Sequence, residues 1–181
     1  MKENLKGKLV INCGGMFSGK STELLRQGER YTFAKKKVVY LKPAFDDRYS
    51  VDEIVNHNGR RIQAINTPLN NICVDEIFEA EVILIDEIQF YDRCIIQQIK
   101  DLINKGYYVY CSGLDMDYKG NIFEITVTLM GIADEVNKLH AVCKICGEDA
   151  VYSKKINNSK KRIELGSEET YIPVCRRCFY E

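Results

Sequence analysis

The sequence predicts an α/β protein in which a mainly parallel sheet is flanked by helices and followed by a small C-terminal module. Two observations carry this prediction. Short apolar runs alternate with stretches of helical periodicity, as in chains whose parallel strands are joined by helices. Near residue 140 the pattern changes, and short strands, turns and paired cysteines replace the long helices. We therefore place one unit at residues 1–140 and a second at residues 141–181.

Length and composition limit the classes of function. The 181 residues can bury one good core with a small accessory module, but not two full-sized domains. The formal net charge is zero and the charges are dispersed, so binding to nucleic acid or to a membrane surface is not expected. No apolar run approaches membrane-spanning length, and the first residues lack the hydrophobic stretch of a signal peptide. We expect a cytoplasmic protein that acts on small molecules.

The first apolar run, Leu9 to Cys13, leads into a glycine-rich loop of the pattern G-x-x-x-x-G-K-S. This phosphate loop consists of Gly14, Gly15, Met16, Phe17, Ser18, Gly19, Lys20 and Ser21. Backbone N–H groups of such a loop form a nest for phosphate oxygens, and the next helix adds the positive end of its dipole. Lys20 is placed to reach the β- and γ-phosphates, and Ser21 to ligate Mg²⁺. The loop predicts binding of ATP or a related triphosphate with its magnesium ion.

The elements that follow have the expected order. Residues Leu24, Leu25, Gly28 and Tyr31 recur at helical spacing, so a helix comes directly after the loop. Apolar runs at 38–41, 82–85 and 107–111 predict further strands, with a helix over the periodic segment 95–103. Because these runs are continuous rather than alternating, both faces of the sheet are expected to be covered.

Two carboxylates follow the strongest strand. Asp86 and Glu87 stand at the carboxyl end of a buried parallel strand, which is where open α/β sheets bind ligands. Asp86 resembles the acidic residue that holds Mg²⁺ in phosphate-loop enzymes, directly or through water. Glu87 is then available as a general base for an attacking hydroxyl or water. Together with the loop, the pair predicts phosphoryl transfer.

The eight cysteines fall into two groups. Two C-x-x-C pairs near the C-terminus can supply four thiolates to one tetrahedral Zn²⁺, and they consist of Cys143, Cys146, Cys175 and Cys178. Four protein ligands leave no open position, so the predicted site is structural; unligated thiols or a redox pair are the alternatives. The other four cysteines lie singly among apolar neighbours and are expected in the core: Cys13, Cys73, Cys94 and Cys111.

With these motifs the sequence resembles the type II thymidine kinases, a cytosolic family of bacteria and animals. The resemblance covers nearly the whole chain. It rests on the phosphate loop and on four further features: D-D-R-Y at Asp46 to Tyr49, D-E-x-Q-F at Asp86 to Phe90, L-D at Leu114 and Asp115, and the cysteine pairs with Gly166 and Tyr171 before the second. It implies a RecA-like phosphate-loop domain followed by a zinc-ribbon or lasso domain.

The resemblance also implies an activity, transfer of the ATP γ-phosphate to the 5′-hydroxyl of thymidine or deoxyuridine. Glu87 would be the catalytic base, with Lys20 and Arg48 at the phosphates. The nucleotide site would extend from the phosphate loop to Asp86, Glu87, Ile88 and Gln89. An apolar wall and a C-terminal lasso, whose backbone reads the pyrimidine edge, would form the nucleoside site from Met16, Phe90, Leu114, Tyr118, Phe123, Ser153, Leu165, Gly166, Ser167 and Tyr171.

Family members are usually homotetramers inhibited by the triphosphate end product, so the resemblance implies a homotetramer with thymidine triphosphate as feedback inhibitor. The sequence departs from the family at Gly15, usually proline, and at Ser167, often glycine. Ser167 bears on how the lasso backbone turns and therefore on nucleoside selectivity.

Two alternatives stand beside this interpretation. One is a phosphate-loop ATPase whose zinc ribbon binds nucleic acid, with Glu87 activating water. The neutral charge, the short chain and the lack of interleaved aromatic and basic residues argue against it. The nearer alternative is a nucleoside kinase of broader or shifted specificity.

Overall fold

The computed structural model describes residues 7–44, 53–55, 59, 61–157 and 170–181. Within these residues the strands are β1 (Lys8–Cys13), β2 (Val38–Pro43), β3 (Glu53–Val55), β4 (Arg61–Gln63), β5 (Ile65–Thr67), β6 (Val82–Ile85), β7 (Tyr108–Gly113), β8 (Glu135–Lys138), β9 (Ala141–Val142), β10 (Asp149–Ala150), β11 (Tyr152–Lys155) and β12 (Tyr171–Val174). The α-helices are α1 (Lys20–Phe33), α2 (Ile95–Asn104), α3 (Glu124–Ile132) and α4 (Arg176–Tyr180). Short 3₁₀ turns lie at Asp75–Glu79 and Ile88–Phe90.

The central sheet has six strands in the order β5-β2-β6-β7-β1-β8, and every neighbouring pair is parallel. Strand β7 therefore lies between β1, which enters the phosphate loop, and β6, which ends directly before Asp86. Parallel strands present their carboxyl ends at one edge of the sheet. This edge consequently carries the phosphate loop, Asp86 and the residues that follow β7. The predicted parallel α/β architecture is confirmed.

Both faces of the sheet are covered, as the continuous apolar strands indicate. In β6, Ile83 and Ile85 pack in the larger core with α2 and α3, while Val82 and Leu84 pack on the opposite face with α1. The division follows from the strand itself, because successive side chains point to opposite faces. All four side chains are completely buried, and this buried strand holds the Asp86-Glu87 turn in place.

The C-terminal residues form their own small cluster. Strand β9 pairs with β10 and β11 with β12, all antiparallel. The cysteines pack there with Tyr152 and Val174, and Phe17 and Met116 reach the cluster from the larger sheet domain. The division at residue 140 stays a prediction.

One prediction about the cysteines is wrong in part. Cys13 and Cys111 are buried in the sheet core, but Cys73 and Cys94 are exposed. Cys73 follows the buried Ile72 in a loop, and Cys94 directly precedes α2. Apolar neighbours in sequence do not bury a side chain at these positions, because one residue of a loop or helix start can face the core while the next faces solvent. No helix within the described residues is long and apolar enough to cross a membrane.

Candidate active site

The phosphate loop owes its shape to glycines and one strained residue. Gly14 and Gly19 have positive φ values, 143° and 83°, and Phe17 shares this unusual region with φ 65°. A Cβ on Gly14 would lie 2.2 Å from the carbonyl oxygen of Leu139, so only glycine fits there. Gly19 then starts α1 through its carbonyl, which accepts the N–H of Glu23 at 2.9 Å. These glycines thus allow the backbone to turn from β1 through the phosphate loop into α1.

Lys20 lies inside this loop. Its Nζ donates to the carbonyl oxygen of Gly15 at 2.6 Å and lies 3.5 Å from the Ser18 hydroxyl oxygen. The Lys20 carbonyl in turn accepts the Ser112 hydroxyl of β7 at 3.1 Å, which fixes the start of α1 to the sheet. Desolvation lowers the pKa of Lys20, and the negative charges of Glu87, Asp86 and Asp115 oppose this effect. The Lys20 ammonium group and these three carboxylates are therefore close enough to interact electrostatically.

Asp86 and Glu87 form a sharp turn after β6. The Asp86 N–H continues the pairing with β2 by donating to Leu41 at 3.0 Å, and Asp86 Oδ1 accepts the Glu87 N–H at 3.0 Å. Glu87 itself adopts a left-handed conformation, with φ 52° and ψ 42°. Asp86 is buried and Glu87 partly buried. The turn directs two consecutive carboxylates toward the edge that carries Lys20.

Gln89 connects this turn to the end of β7. Its Nε2 donates to Glu87 Oε2, and its Oε1 accepts the backbone N–H of Leu114 at 3.0 Å. The neighbouring Ile88 is completely buried in the larger core, so only its backbone can face a ligand. The D-E-x-Q segment is therefore held by one buried apolar side chain and one amide bridge.

Asp115 lies two residues after β7 and is only 3% exposed. Lys138 Nζ, at the end of β8, lies 3.0 Å from its Oδ2. Within the described part of the chain, neither carboxylate oxygen accepts a hydrogen bond of good geometry. Burial raises the pKa of the Cys13 thiol, and the negative charge of Asp115 raises it further. The same charge opposes the lowering of the Lys20 pKa by desolvation. Asp115 is thus a third carboxylate whose charge acts on Lys20, beside those of Asp86 and Glu87.

Aromatic side chains form two pairs near this edge. The rings of Phe90 and Phe123 meet edge to face, with centroids 6.5 Å apart. Those of Tyr118 and Tyr171 are tilted at the same centroid distance, and Lys155 Nζ lies 5.0 Å from the Tyr118 ring centre and 5.7 Å from that of Tyr171. The structure thus brings residues predicted for one pocket together in pairs from distant parts of the chain.

The phosphate loop also contacts the C-terminal module directly. The Met16 N–H donates to the hydroxyl oxygen of Ser153 at 2.9 Å, and Ser153 is buried in β11. Both residues were predicted for the nucleoside site. Arg48, Leu165, Gly166 and Ser167, together with the D-D-R-Y motif, lie outside the described residues.

The four paired cysteines meet at one point, as predicted. Their Sγ atoms all lie within 4.8 Å of one another, with Cys146 and Cys175 at 3.5 Å. Tetrahedral Zn²⁺ with Zn–S bonds of about 2.3 Å places its sulfurs about 3.8 Å apart, so the cluster fits this ion. Desolvation acts to raise the pKa of the Cys143 thiol, but hydrogen bonds from backbone N–H groups outweigh it and lower this pKa to about 6. Desolvation raises the pKa of the Cys178 thiol to about 12. The four cysteines can hold one zinc ion.

Comparison with known proteins identifies the family. A family model described as thymidine kinase matches residues 7–179, which is nearly the whole chain. The chain belongs to the thymidine kinase family. It is 41% identical over 176 residues to a thymidine kinase of Bacteroides thetaiotaomicron, covering 96% of this chain and 87% of that relative. It is 38% identical over 177 residues to a thymidine kinase of Pseudothermotoga lettingae, covering 97% and 96%.

A solved structure agrees with the fold of this thymidine kinase family member. The flagellar accessory protein FlaH of Methanocaldococcus jannaschii superposes with a TM-score of 0.55, at 14% identity, covering 80% of this chain and 75% of that one. At this identity the likeness concerns the fold alone. The family match does not favour the alternative of an ATPase acting on nucleic acid.

Sequence reasoning missed two features of the site. Asp115 belongs to a motif that the sequence shares with the thymidine kinase family, yet its burial and its ion pair with Lys138 depend on β1, β7 and β8 being neighbours. The sequence predicts Gln89 in the nucleotide site but not the bridge that its amide makes between Glu87 and Leu114. The position of Gln89 after a buried strand was the available signal. Its partner Leu114, 25 residues away, could not be identified from the sequence.

Proposed function

We propose that this protein is an ATP-dependent thymidine kinase, which transfers the γ-phosphate of ATP to the 5′-hydroxyl of thymidine and deoxyuridine. The family match over residues 7–179 is the observation that carries the proposal. The geometry supports it, because Lys20, Asp86 and Glu87 share one edge of the sheet with the aromatic pairs. A phosphate site for ATP would then lie at the same edge as a site suited to the flat base of the nucleoside.

The residues of the loop would bind the triphosphate. Loop N–H groups and the start of α1 favour phosphate oxygens, and Lys20 would exchange the Gly15 carbonyl for the phosphates. Ser21 and Asp86 would hold Mg²⁺, which neutralises phosphate charge when bound. Arg48 is proposed as a further cation at the phosphates.

Glu87 would accept the proton of the attacking hydroxyl. The 5′-oxygen forms a bond to the γ-phosphorus, the bond from that phosphorus to the β-bridging oxygen breaks, and the hydroxyl proton passes to the Glu87 carboxylate. The products are the nucleoside 5′-monophosphate and ADP. Most of the rate enhancement is expected from positioning and charge stabilisation.

The nucleoside would bind beside the Phe90–Phe123 and Tyr118–Tyr171 pairs. Met16 of the phosphate loop is hydrogen-bonded to Ser153, and Leu114 directly follows β7. Phe90 is proposed to stack on the base. The backbone from Leu165 to Tyr171 would read the pyrimidine edge, so discrimination needs no special side chain.

Other properties complete the proposal. Zn²⁺ held by the four cysteines would be structural, the assembly a homotetramer, and thymidine triphosphate a feedback inhibitor competitive with thymidine. Because the enzyme needs ATP and reduced thiols, we propose a cytoplasmic location. Inhibition kinetics test the proposed feedback inhibition by thymidine triphosphate, and light scattering tests the proposed homotetramer.

The activity is tested by a coupled ATP-consumption assay with Mg²⁺, adding thymidine, deoxyuridine, deoxycytidine and deoxyguanosine in turn. We expect turnover with the first two, and a 5′-monophosphate product by mass spectrometry. Turnover with deoxycytidine or deoxyguanosine instead would indicate a nucleoside kinase of shifted specificity. ATP consumption stimulated by DNA but by no nucleoside would contradict the proposal.

A further inference from the structure

The amide of Gln89 joins the turn that carries Glu87 to the end of β7. We infer that Gln89 is a positioning residue, which holds the Glu87 carboxylate at a set distance from the nucleoside side of the cleft. The inference rests on the proposed function, because it assigns Glu87 the role of general base. It changes the role of Gln89 from a contact of ATP to a support of the base.

The orientation of this amide is determined by its partners. A backbone N–H can only donate, so the oxygen of Gln89 must face Leu114, and the NH₂ group is left to face Glu87. Glu87 offers only acceptors when ionised. In the reversed amide, the NH₂ group would face the Leu114 N–H, which is also a donor. The amide oxygen would face the Glu87 carboxylate, which is also an acceptor. Gln89 is 6% exposed, so water competes little for these bonds.

Packing around the amide leaves it little freedom. A Cβ on Gly113 would lie 2.7 Å from Gln89 Oε1 and 2.6 Å from Ile88 Cγ2. Glycine at the end of β7 is therefore what allows the amide and Ile88 to pack against this strand. The bridge joins the turn after β6 to the residue after β7, and these two strands are neighbours in the sheet.

The second anchor of the bridge lies where the nucleoside is proposed to bind. Leu114 follows β7 directly and belongs to the predicted apolar wall. The amide therefore sets the spacing between the proton acceptor and the pocket that positions the 5′-hydroxyl. A misplacement of about 1 Å at a reacting group can cost about 100-fold in rate, so this spacing matters for kcat.

The test replaces Gln89 by methionine, which keeps the length of the side chain and removes both hydrogen bonds. We expect kcat for thymidine to fall about 10- to 100-fold, with KM for ATP and thymidine and the Kd of ATP within about twofold of the wild type. If Gln89 mainly contacted ATP, the Kd of ATP would rise instead, and this outcome or an unchanged kcat would overturn the inference.

Gln98 supplies a matched control. Its amide makes the same kind of bridge on α2, accepting the Ile72 N–H at 3.0 Å and donating to the Asn70 carbonyl at 2.8 Å. We expect Gln98→Met to leave kcat unchanged. An equal loss of kcat in both variants would show a general effect of removing an amide bridge and would contradict the inference. Gln89→Asn, too short to span both partners, is the second variant if the methionine variant does not fold, and we expect it to lower kcat in the same way.

A double variant separates this inference from the proposed function. In the Glu87→Gln background, Gln89→Met should lower kcat little further, because the carboxylate it supports is already gone. Fully additive losses would show that Gln89 acts through another group. The proposed function fails in a different way, if the wild-type protein phosphorylates no nucleoside.

Discussion

At the scale of single residues, the backbone of Glu87 departs from ordinary geometry. Its left-handed conformation, φ 52°, costs roughly 1–2 kcal/mol for a residue with a Cβ. The turn keeps this conformation because β6 is buried on both faces before it and Ile88 is buried after it. Strain held in this way is common where a side chain must be directed to a reaction.

Replacing Glu87 by glutamine tests the proposed base. Glutamine keeps the size of the side chain but accepts no proton at neutral pH, so we expect turnover to fall by a factor on the order of 10² or more. The Kd of ATP should stay nearly unchanged, because the phosphate loop is untouched. Isothermal titration and steady-state kinetics on the same sample provide both values. Normal turnover in this variant would remove Glu87 from the mechanism.

Lys20 gives a prediction about pH. Desolvation lowers its pKa, and bound phosphate favours the charged form, so the pKa in the complex is higher than in the free enzyme. ATP affinity should thus be full below the lowered pKa of the free enzyme and decrease as pH rises through it. We expect this decrease at lower pH than an ordinary lysine would give, and its absence in Lys20→Arg, which stays charged. A pH series of the Kd of ATP measures it, and equal alkaline losses in both proteins would contradict the assignment to Lys20.

At the scale of elements, α1 packs unusually close to the sheet. Gly28 faces Tyr40 of β2, and a Cβ on Gly28 would lie 1.9 Å from the Tyr40 hydroxyl oxygen. The φ of Gly28 is not positive, so glycine is required here for space rather than for backbone freedom. The helix that begins at Lys20 is therefore positioned by contact with β2 as well as by the phosphate loop.

This contact predicts a compensating pair of variants. Gly28→Ala should destabilise the protein by about 1–3 kcal/mol, as overpacking does. Tyr40→Phe should be close to neutral, because the buried Tyr40 hydroxyl has no hydrogen-bond partner in the described part of the chain. The double variant should recover much of the loss, since phenylalanine removes the atom that the new methyl group would meet. Urea denaturation of all four proteins measures the coupling, and additive losses would contradict it.

At the scale of the whole molecule, the C-terminal module and the phosphate loop are joined. Ser153 of β11 accepts the Met16 N–H, β11 pairs with β12, and β12 leads directly into Cys175. The chain returns to the loop a second time at Leu139, whose N–H donates to Cys13 at 2.8 Å. We therefore expect the order of the cysteine cluster to influence the phosphate site.

Removal of the proposed zinc ion should weaken ATP binding as well as the C-terminal module. Chelation is expected to raise the Kd of ATP, because loss of the cysteine cluster frees β12 and β11 and with them Ser153. Ser153→Ala is the control for this route: it should weaken ATP binding with the metal content unchanged. Metal analysis together with ATP titration measures both effects. Unaltered ATP affinity after complete chelation would show that the two units act independently.

Much of this organisation could be predicted from sequence. Continuous apolar runs identified β1, β2, β6 and β7, and the spacing of apolar residues identified α1 and α2, because burial on two faces or on one stripe leaves a periodic mark. The paired cysteines were predicted to meet and do so. Burial of Cys73 and Cys94 was predicted and is wrong, because local apolar context does not determine which residues of a loop face solvent.

By itself the sequence determined the kinds of chemistry and their local settings: a phosphate loop between strand and helix, two carboxylates after a buried strand, and four cysteines with zinc-ligand spacing. The loop, the carboxylate turn and each C-x-x-C pair depend on residues within about ten positions of one another, whereas 28 residues separate the two cysteine pairs. Only the tertiary structure decided that β7 lies between β1 and β6, that Gln89 reaches Leu114, that Asp115 pairs with Lys138, and that Ser153 meets Met16. These contacts join residues 23 to 137 positions apart, and the parallel order of the strands, which no local pattern encodes, brings them to one edge.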